Sequence, residues 1–374
     1  KIDFFIDKTN FILLNQLNPN HYYFIGCMSG TSLDGLDLVY VKFTKKKVWT
    51  FKILASTTVI YSKIWKKKLH ESINLAPHAI NKLNEDYTDF LGDNILSFIS
   101  NEKINMLDAV ASHGHTVFHQ PEKRLTLQIG NISHLADRVG LPVICDFRAQ
   151  DVAFGGQGAP LVPVGDQALF SNYNACVNLG GFSNITILQN QNVLAYDICA
   201  ANTVLNILAQ RLNLNYDEGG KIAAGGKIIP AFLEQLDKLH FYSKKPPKSL
   251  GIEWVRECVI KILDNYANLE TNDLLHTYTL HIAQQIAKCL PKKGSVLFTG
   301  GGAHNTFLVE AIHKRTKAKI VVPSPEIVDY KEALIFAFLG LMKWKGSINC
   351  LASVTGAEKD HATGKIFIPN SQIG

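Results

Sequence analysis

Three observations predict an α/β protein made of two similar lobes. Residues 24–43 read as strand, glycine turn and strand, and residues 175–188 repeat that rhythm at the head of the second half. Around both hairpins, apolar strands alternate with stretches of helical periodicity. The repeat is one of pattern with slight residue identity, the signature of a duplicated unit with a cleft between the copies.

Residues 24–29 are an apolar strand. Its partner at 36–43 sets Leu36, Leu38, Tyr40 and Lys42 on one face and Asp37, Val39, Val41 and Phe43 on the other. Residues 48–60 predict one or two further strands, followed by a lysine-rich helix over 61–75. A second helix covers 80–100, where Leu83, Tyr87, Phe90, Leu91, Ile95 and Phe98 recur at helical spacing. Strands are expected at 108–112, 125–130 and 142–146 and a helix at 131–139, with His113, His115 and His119 on a strand-end loop. Residues 146–163 form the densest polar stretch.

The second half adds a strand at 194–197, an amphipathic helix at 202–212 and a loop at 246–249. Leu274, Tyr278, Ile282 and Ile286 stripe a long helix that ends before Pro291. A buried strand at 295–298 enters a glycine turn at 299–305. The strand at 319–322 is stopped by Pro323 and Pro325, and an apolar helix covers 330–344. The expected division is an N-terminal extension at 1–20, a first lobe at 21–170 to which 347–374 returns, and a second lobe at 171–346.

At 374 residues the chain exceeds the usual size of a single core. Its 47% hydrophobic and 19% charged residues are those of an ordinary globular protein, with no apolar run long enough to span a membrane. The apolar patches between residues 4 and 17 are broken by Asp7, Lys8 and Asn10 and do not make a signal peptide. Seven scattered cysteines fit reduced thiols in the cytoplasm better than disulfides or a zinc set. The net charge of +6 rests partly on lysine runs at 45–47 and 66–68 without interleaved aromatics, which argues against a nucleic-acid partner.

The first hairpin turn carries Gly26, Gly30 and Gly35, hydroxyls at Ser29, Thr31 and Ser32, and carboxylates at Asp34 and Asp37. Bare N–H groups and hydroxyls suit phosphate oxygens, and the carboxylates suit a hard cation. Alone, the stretch also reads as a polar hairpin turn. Gly300, Gly301 and Gly302 lie between a strand and a helix, where a flat or anionic ligand can approach the backbone. Neither the dinucleotide fingerprint nor a Walker loop is present.

Asp151 follows Arg148 by three residues and precedes a glycine run, a position for a base acting on a hydroxyl or a water. An Asp–Arg pair that only ties down the loop is the alternative. The three histidines lack a completing ligand set, which favours substrate hydrogen bonds or structural roles over metal. Glu332 opens the last helix beside Asp329, where acidic residues commonly just complement the helix dipole. Asp197, at a strand end, is a candidate for magnesium through water.

Taken together, the motifs resemble one family. They are Met28-Ser29-Gly30-Thr31-Ser32-Leu33-Asp34-Gly35 with Asp37, then His113-Gly114-His115-Thr116 with His119 and Pro121, then Gln128-Ile129-Gly130. Asp146-Phe147-Arg148, Asp151, residues 155–163 and Ser353-Val354-Thr355-Gly356-Ala357 follow in the same order. The set resembles the anhydro-N-acetylmuramic acid kinases from about residue 24 to the C-terminus.

That resemblance implies the two-lobed actin-like ATPase fold, a duplicated ribonuclease H-like architecture with its active site in the inter-lobe cleft. It implies ATP and Mg2+ as cofactors, an amino sugar as substrate, a cytoplasmic enzyme and a homodimer. The implied reaction adds water at C1 of 1,6-anhydro-N-acetylmuramic acid while ATP phosphorylates O6. Asp151 is implied as the base and Glu332 as a second catalytic carboxylate. ATP and phosphate contacts are implied at Gly30, Thr31, Ser32, Leu33, Asp34, Gly35, Leu36, Asp37, Gly180, Gly181, Asn184, Gly300, Gly301, Gly302 and Asn305. Sugar contacts are implied at His113, Gly114, Thr116, Gln128, Gly130, Arg148 and Gln157, and magnesium at Asp34 and Asp197.

The chain departs from the family pattern at Asp197-Ile198-Cys199-Ala200-Ala201-Asn202, which lacks a glycine, and at His115, where glutamine is usual. A kinase of another sugar hydroxyl without ring opening and a catalytically degenerate ATP-binding switch are the alternative readings.

Overall fold

The computed structural model describes residues 20–30, 32–189, 192–246 and 248–370. Thr31 and the expected extension up to residue 19 lie outside the described residues.

β1 (His21–Ser29) and β2 (Gly35–Lys45) form the expected hairpin, in register from His21↔Thr44 to Ser29↔Leu36. β3 (Trp49–Ile60) is one unbroken strand, antiparallel to β2. β4 (Ala109–Gln120) runs parallel to β1, and β5 (Leu125–Ile129) folds back upon it. β6 (Val143–Cys145) lies parallel to β4, and its outer edge is closed by β12 (Lys365–Phe367).

β2 is covered on both sides, so its alternation marks two cores rather than a core and a solvent face. Leu36, Leu38 and Tyr40 pack with Tyr87, Leu91 and Ile95 of the helix Pro77–Asn101. On the opposite face Val39, Val41 and Phe43 are fully buried, and the Phe43 ring stands 5.6 Å from Phe338.

In the second half β7 (Ala175–Leu179), β8 (Phe182–Gln189) and β9 (Asn192–Ala200) form an antiparallel meander. β10 (Ser295–Thr299) and β11 (Lys319–Val321) add to it in parallel on the far side of β7. The strand orders β3-β2-β1-β4-β6 and β9-β8-β7-β10-β11 are therefore the same. Each is a three-strand meander extended beyond its first strand by two parallel strands in succession, the ribonuclease H-like arrangement. The duplication suggested by two short hairpins extends to whole sheets. In the second copy the stripe Leu274, Tyr278, Ile282 and Ile286 of the helix Thr271–Cys289 packs among Val177, Val296 and Phe298.

The chain forms two units: residues up to Leu169 together with Glu332 onward, and Phe170–Lys331. The return to the first unit falls at Glu332 rather than at 347, and the last long helix explains why. It spans Pro325–Trp344, not 330–344, because proline is tolerated in a first helical turn. From Glu332 onward it lies on the first sheet at close range. A Cβ placed on Gly26 would stand 2.0 Å from the Ala333 carbonyl oxygen, and one on Gly340 would stand 2.5 Å from Ala111 Cβ. Gly26 thus serves helix–sheet contact rather than phosphate. Among the described residues no helix is long and apolar enough to cross a membrane.

Candidate active site

The first hairpin turn is held from beneath by a buried network. Ser29 Oγ lies 2.7 Å from Tyr61 Oη and 2.9 Å from His115 Nδ1, and Tyr61 Oη lies 2.7 Å from Tyr87 Oη. These four residues come from separated segments, so nothing local in the sequence announces them. Above them Leu33 takes a left-handed φ of 59° and donates its N–H to Gly30 O at 3.3 Å. Ser32 and Asp34 are exposed at the tip. Asp37 Oδ1 accepts from Thr58 Oγ1 at 2.6 Å, and a Cβ on Gly35 would meet Thr58 and Val59 at 2.7 Å. Leu36 is buried in the core, which leaves only its main chain for the expected phosphate contact.

Burial holds the His115 imidazole down at about 4, so it folds neutral. An unfolded histidine titrates near ~6.5, and between these values the unfolded chain binds more protons. The stability tied to His115 is therefore complete above ~6.5 and is lost as pH falls towards 4, a span worth about 3 kcal/mol. We expect His115→Gln to flatten the decline of urea-unfolding free energy between pH 7 and 4.5. An unchanged slope would contradict it.

β4 continues through the histidine motif, which the sequence places on a loop. The extension arises because β5 pairs back upon it, with His115 opposite Ile129 and Thr116 opposite Gln128. Gly114 bends the strand at φ +72°, and a Cβ there would stand 2.5 Å from Ile129 O. His113 is buried, with Nδ1 3.0 Å from Gly114 O and Nε2 accepting from Arg148 Nε at 2.9 Å. Burial first, then the Arg148 charge, hold its pKa well below the ordinary value, so it is a neutral acceptor. Gln128 Nε2 donates to Thr126 Oγ1 at 2.8 Å, and Gly130 donates its N–H to Asn84 Oδ1 at 2.7 Å.

The polar stretch after β6 contains two helices, Ala149–Ala153 and Val162–Leu169, with the glycine run between them. Asp151 lies in the first and is fully buried. Its Oδ2 accepts the Gly158 N–H at 2.7 Å, while Oδ1 accepts from Thr355 Oγ1 at 2.7 Å and from Cys350 Sγ at 3.0 Å. A Cβ on Gly156 would stand 2.2 Å from Oδ2, so the glycine run wraps the carboxylate closely.

Arg148 donates to His113 and, through Nη1, to Gly158 O at 2.7 Å, so the loop is tied by these bonds rather than by a direct Asp151–Arg148 pair. Burial lowers the Arg148 pKa to about 10, opposed by the negative charges of Glu332 and Asp151. The charges of both carboxylates are thus felt at one guanidinium. Glu332 stands well inside the helix Pro325–Trp344, not in its first turn, so the dipole reading falls away. Gln157 is exposed, and its main-chain N–H donates to Thr355 O at 2.8 Å. Thr355 belongs to the final sequence motif, the one signal that could have linked it to Asp151; Cys350 and His361 gave none.

In the second unit, the turn after β7 receives the start of the helix Asn202–Gln210. Ala201 and Thr203 donate their N–H groups to Gly181 O at 2.8 and 3.2 Å, and Asn202 donates to Gly180 O at 3.2 Å. No residue from Asp197 to Asn202 has a positive φ, so the missing glycine imposes no left-handed strain there. Asn202 Nδ2 donates to Leu179 O at 3.1 Å, beside Gly302. Gly300 has φ +81°, and a Cβ on it would stand 2.2 Å from Asn178 Oδ1. Asn305 Oδ1 accepts from Leu308 N at 2.9 Å, capping the helix Thr306–His313. Asn184 pairs with Asn178 and Asp197 across the meander. Asp197 Oδ2 accepts from Leu250 N at 2.8 Å, and burial raises its pKa. Asp34 belongs to the first unit and Asp197 to the second.

A ribonuclease H-like sheet present twice, with glycine turns at the strand ends of both copies, is the architecture of the actin-like ATPase and sugar-kinase class. Within that class the whole sequence decides the family. Residues 22–369 match the family model described as anhydro-N-acetylmuramic acid kinase. The chain is 33% identical to the anhydro-N-acetylmuramic acid kinase of Haemophilus influenzae, with 94% of this chain and 99% of that one covered. It is 31% identical to the Caldanaerobacter subterraneus subsp. tengcongensis enzyme of that name, with 95% and 99% covered. For that of Shewanella denitrificans the identity is 34%, with 91% and 97% covered. The chain belongs to the anhydro-N-acetylmuramic acid kinase family and is an enzyme.

Proposed function

We propose that the protein couples hydrolytic opening of 1,6-anhydro-N-acetylmuramic acid to phosphorylation of O6. The products are N-acetylmuramic acid 6-phosphate and ADP, and the setting is cytoplasmic recycling of cell-wall sugars. The observation that carries the reading is Asp151, a carboxylate fixed by three donors beside Arg148 and Glu332. A base so held can take a proton from water as the oxygen attacks C1. The C1–O6 bond breaks, and the electron pair left on O6 attacks the γ-phosphorus of ATP. Asp151 is fully buried, and its Oδ2 is occupied by the Gly158 N–H.

His113, Gly114, Thr116, Gln128, Gly130, Arg148 and Gln157 orient the sugar, and the charge of Glu332 supports the Arg148 guanidinium. Gly180, Gly181, Asn184, Gly300, Gly301, Gly302 and Asn305 hold the nucleotide, joined by Asn202. Gly30, Ser32, Leu33, Asp34, Gly35 and Asp37 form the phosphate turn. Asp34 in the first unit and Asp197 in the second each offer carboxylate oxygens of the kind that suit magnesium, directly or through water. When bound, magnesium would supply charge neutralisation for the transferring phosphoryl group.

ADP release from ATP should require the anhydro sugar, and N-acetylmuramic acid, whose 1,6-anhydro bridge is already hydrolysed, should support little turnover. Equal turnover with N-acetylmuramic acid would favour a plain hydroxyl kinase.

A further inference from the structure

Beyond the proton-transfer role, the surroundings of Asp151 contain a second kind of chemistry. Its Oδ1, Cys350 Sγ and His361 Nε2 all lie within 4.8 Å of one another, and all three residues are buried. Cys350 Sγ is 3.0 Å and His361 Nε2 is 3.7 Å from Oδ1. Ligand atoms around a tetrahedral zinc stand about 3.3–3.8 Å apart, given bond lengths of about 2.0–2.3 Å.

Two further features organise the cluster. Cys350 and His361 are paired backbone to backbone, each donating its N–H to the other's carbonyl at 3.1 Å. His361 Nδ1 lies 3.0 Å from Lys359 O, which fixes the ring with Nε2 as the bare acceptor, and a backbone carbonyl behind a ligating imidazole is a common support for metal-bound histidine. That Nε2 is buried, has no hydrogen-bond partner among the described residues, and is aimed at the Asp151 carboxylate.

We propose that Asp151, Cys350 and His361 form a site for one zinc-class divalent cation. Sulfur, imidazole nitrogen and carboxylate oxygen together suit zinc rather than magnesium. Binding releases the thiol proton of Cys350 to solvent, and the two negative ligands balance the charge of the ion. The spacing of the cysteines gave no sign of this, because the ligands come from three separate positions in the chain. On the reading that Asp151 is the base, zinc occupancy also removes it from proton transfer and stops turnover.

The test loads the full-length protein with Zn2+, removes free metal by desalting, and measures bound zinc by elemental analysis. Co2+ substitution gives the companion readout, a thiolate-to-cobalt absorption band. One equivalent of zinc and a cobalt–thiolate band are expected. Cys350→Ser should lose the band, and Cys350→Ser and His361→Ala should each weaken binding by about 100-fold or more, the loss of a ligand exceeding that of a supporting contact. No stoichiometric zinc in the unaltered protein, or a cobalt complex unchanged in both variants, overturns the site. The zinc stoichiometry of the unaltered protein does not depend on how any variant folds.

Activity of the desalted, zinc-loaded protein separates the two ideas. Abolished turnover, restored by a chelator, supports Asp151 as the base. Full turnover with zinc bound overturns that role while leaving the metal site standing.

Discussion

Asp151→Asn is expected to lower kcat by about 10²–10⁴-fold while leaving the KM for ATP nearly unchanged, the usual share of a general base. The amide keeps the size of the carboxylate. Its oxygen can accept the Gly158 N–H, and its nitrogen can face Thr355, whose hydroxyl also reaches Leu351 O at 3.3 Å. The pocket is thus filled and the loss falls on proton transfer rather than on the fold. Steady-state kinetics with varied ATP and sugar checks this. Activity within a few-fold of the unaltered enzyme would remove Asp151 from the role of base.

Gly156→Ala is expected to reduce kcat by about 10²-fold, the scale on which a misplacement of roughly 1 Å is felt. A Cβ at residue 156 would stand 2.2 Å from Asp151 Oδ2, 2.7 Å from Cγ and 2.8 Å from Oδ1, so either the carboxylate or the loop must move. Gly156 itself has no left-handed φ, and the backbone accepts alanine. The variant should fold, with stability lower by about 1–3 kcal/mol as in other overpacked sites. Kinetics and urea unfolding on the same sample separate the two effects. A variant destabilised yet fully active would show that the close contact with Asp151 has no bearing on turnover.

The duplicated sheet was legible because it is built from local signals, alternating strands punctuated by glycine and helices striped by Leu274, Tyr278 and Ile282. What escaped was non-local. β4 runs through His113 to Gln120 only because β5 returns to pair with it. The long C-terminal helix changes units at Glu332 because small residues at Gly26, Ala333 and Ala337 let helix and strand meet. Proline at 325 reads as a stop for the preceding strand, yet it is also a good first residue for a helix.

The candidate site divides along the same line. Asp151 and Arg148 share one sequence motif, and their neighbourhood follows from it. Ser29 with Tyr61, Tyr87 and His115, and Asp151 with Cys350, Thr355 and His361, are brought together by tertiary contacts alone. No spacing rule reaches across 199 or 204 residues.

The coupled reaction makes one demand that an ordinary sugar kinase does not: an oxygen atom from water must enter at C1. Turnover of 1,6-anhydro-N-acetylmuramic acid with ATP and magnesium in water enriched in oxygen-18, followed by mass analysis of the 6-phosphorylated product at early times, reads this directly. One labelled oxygen at C1 for each ADP released is the expected result. A phosphorylated product without the label, or no ADP release with this sugar, would contradict the account.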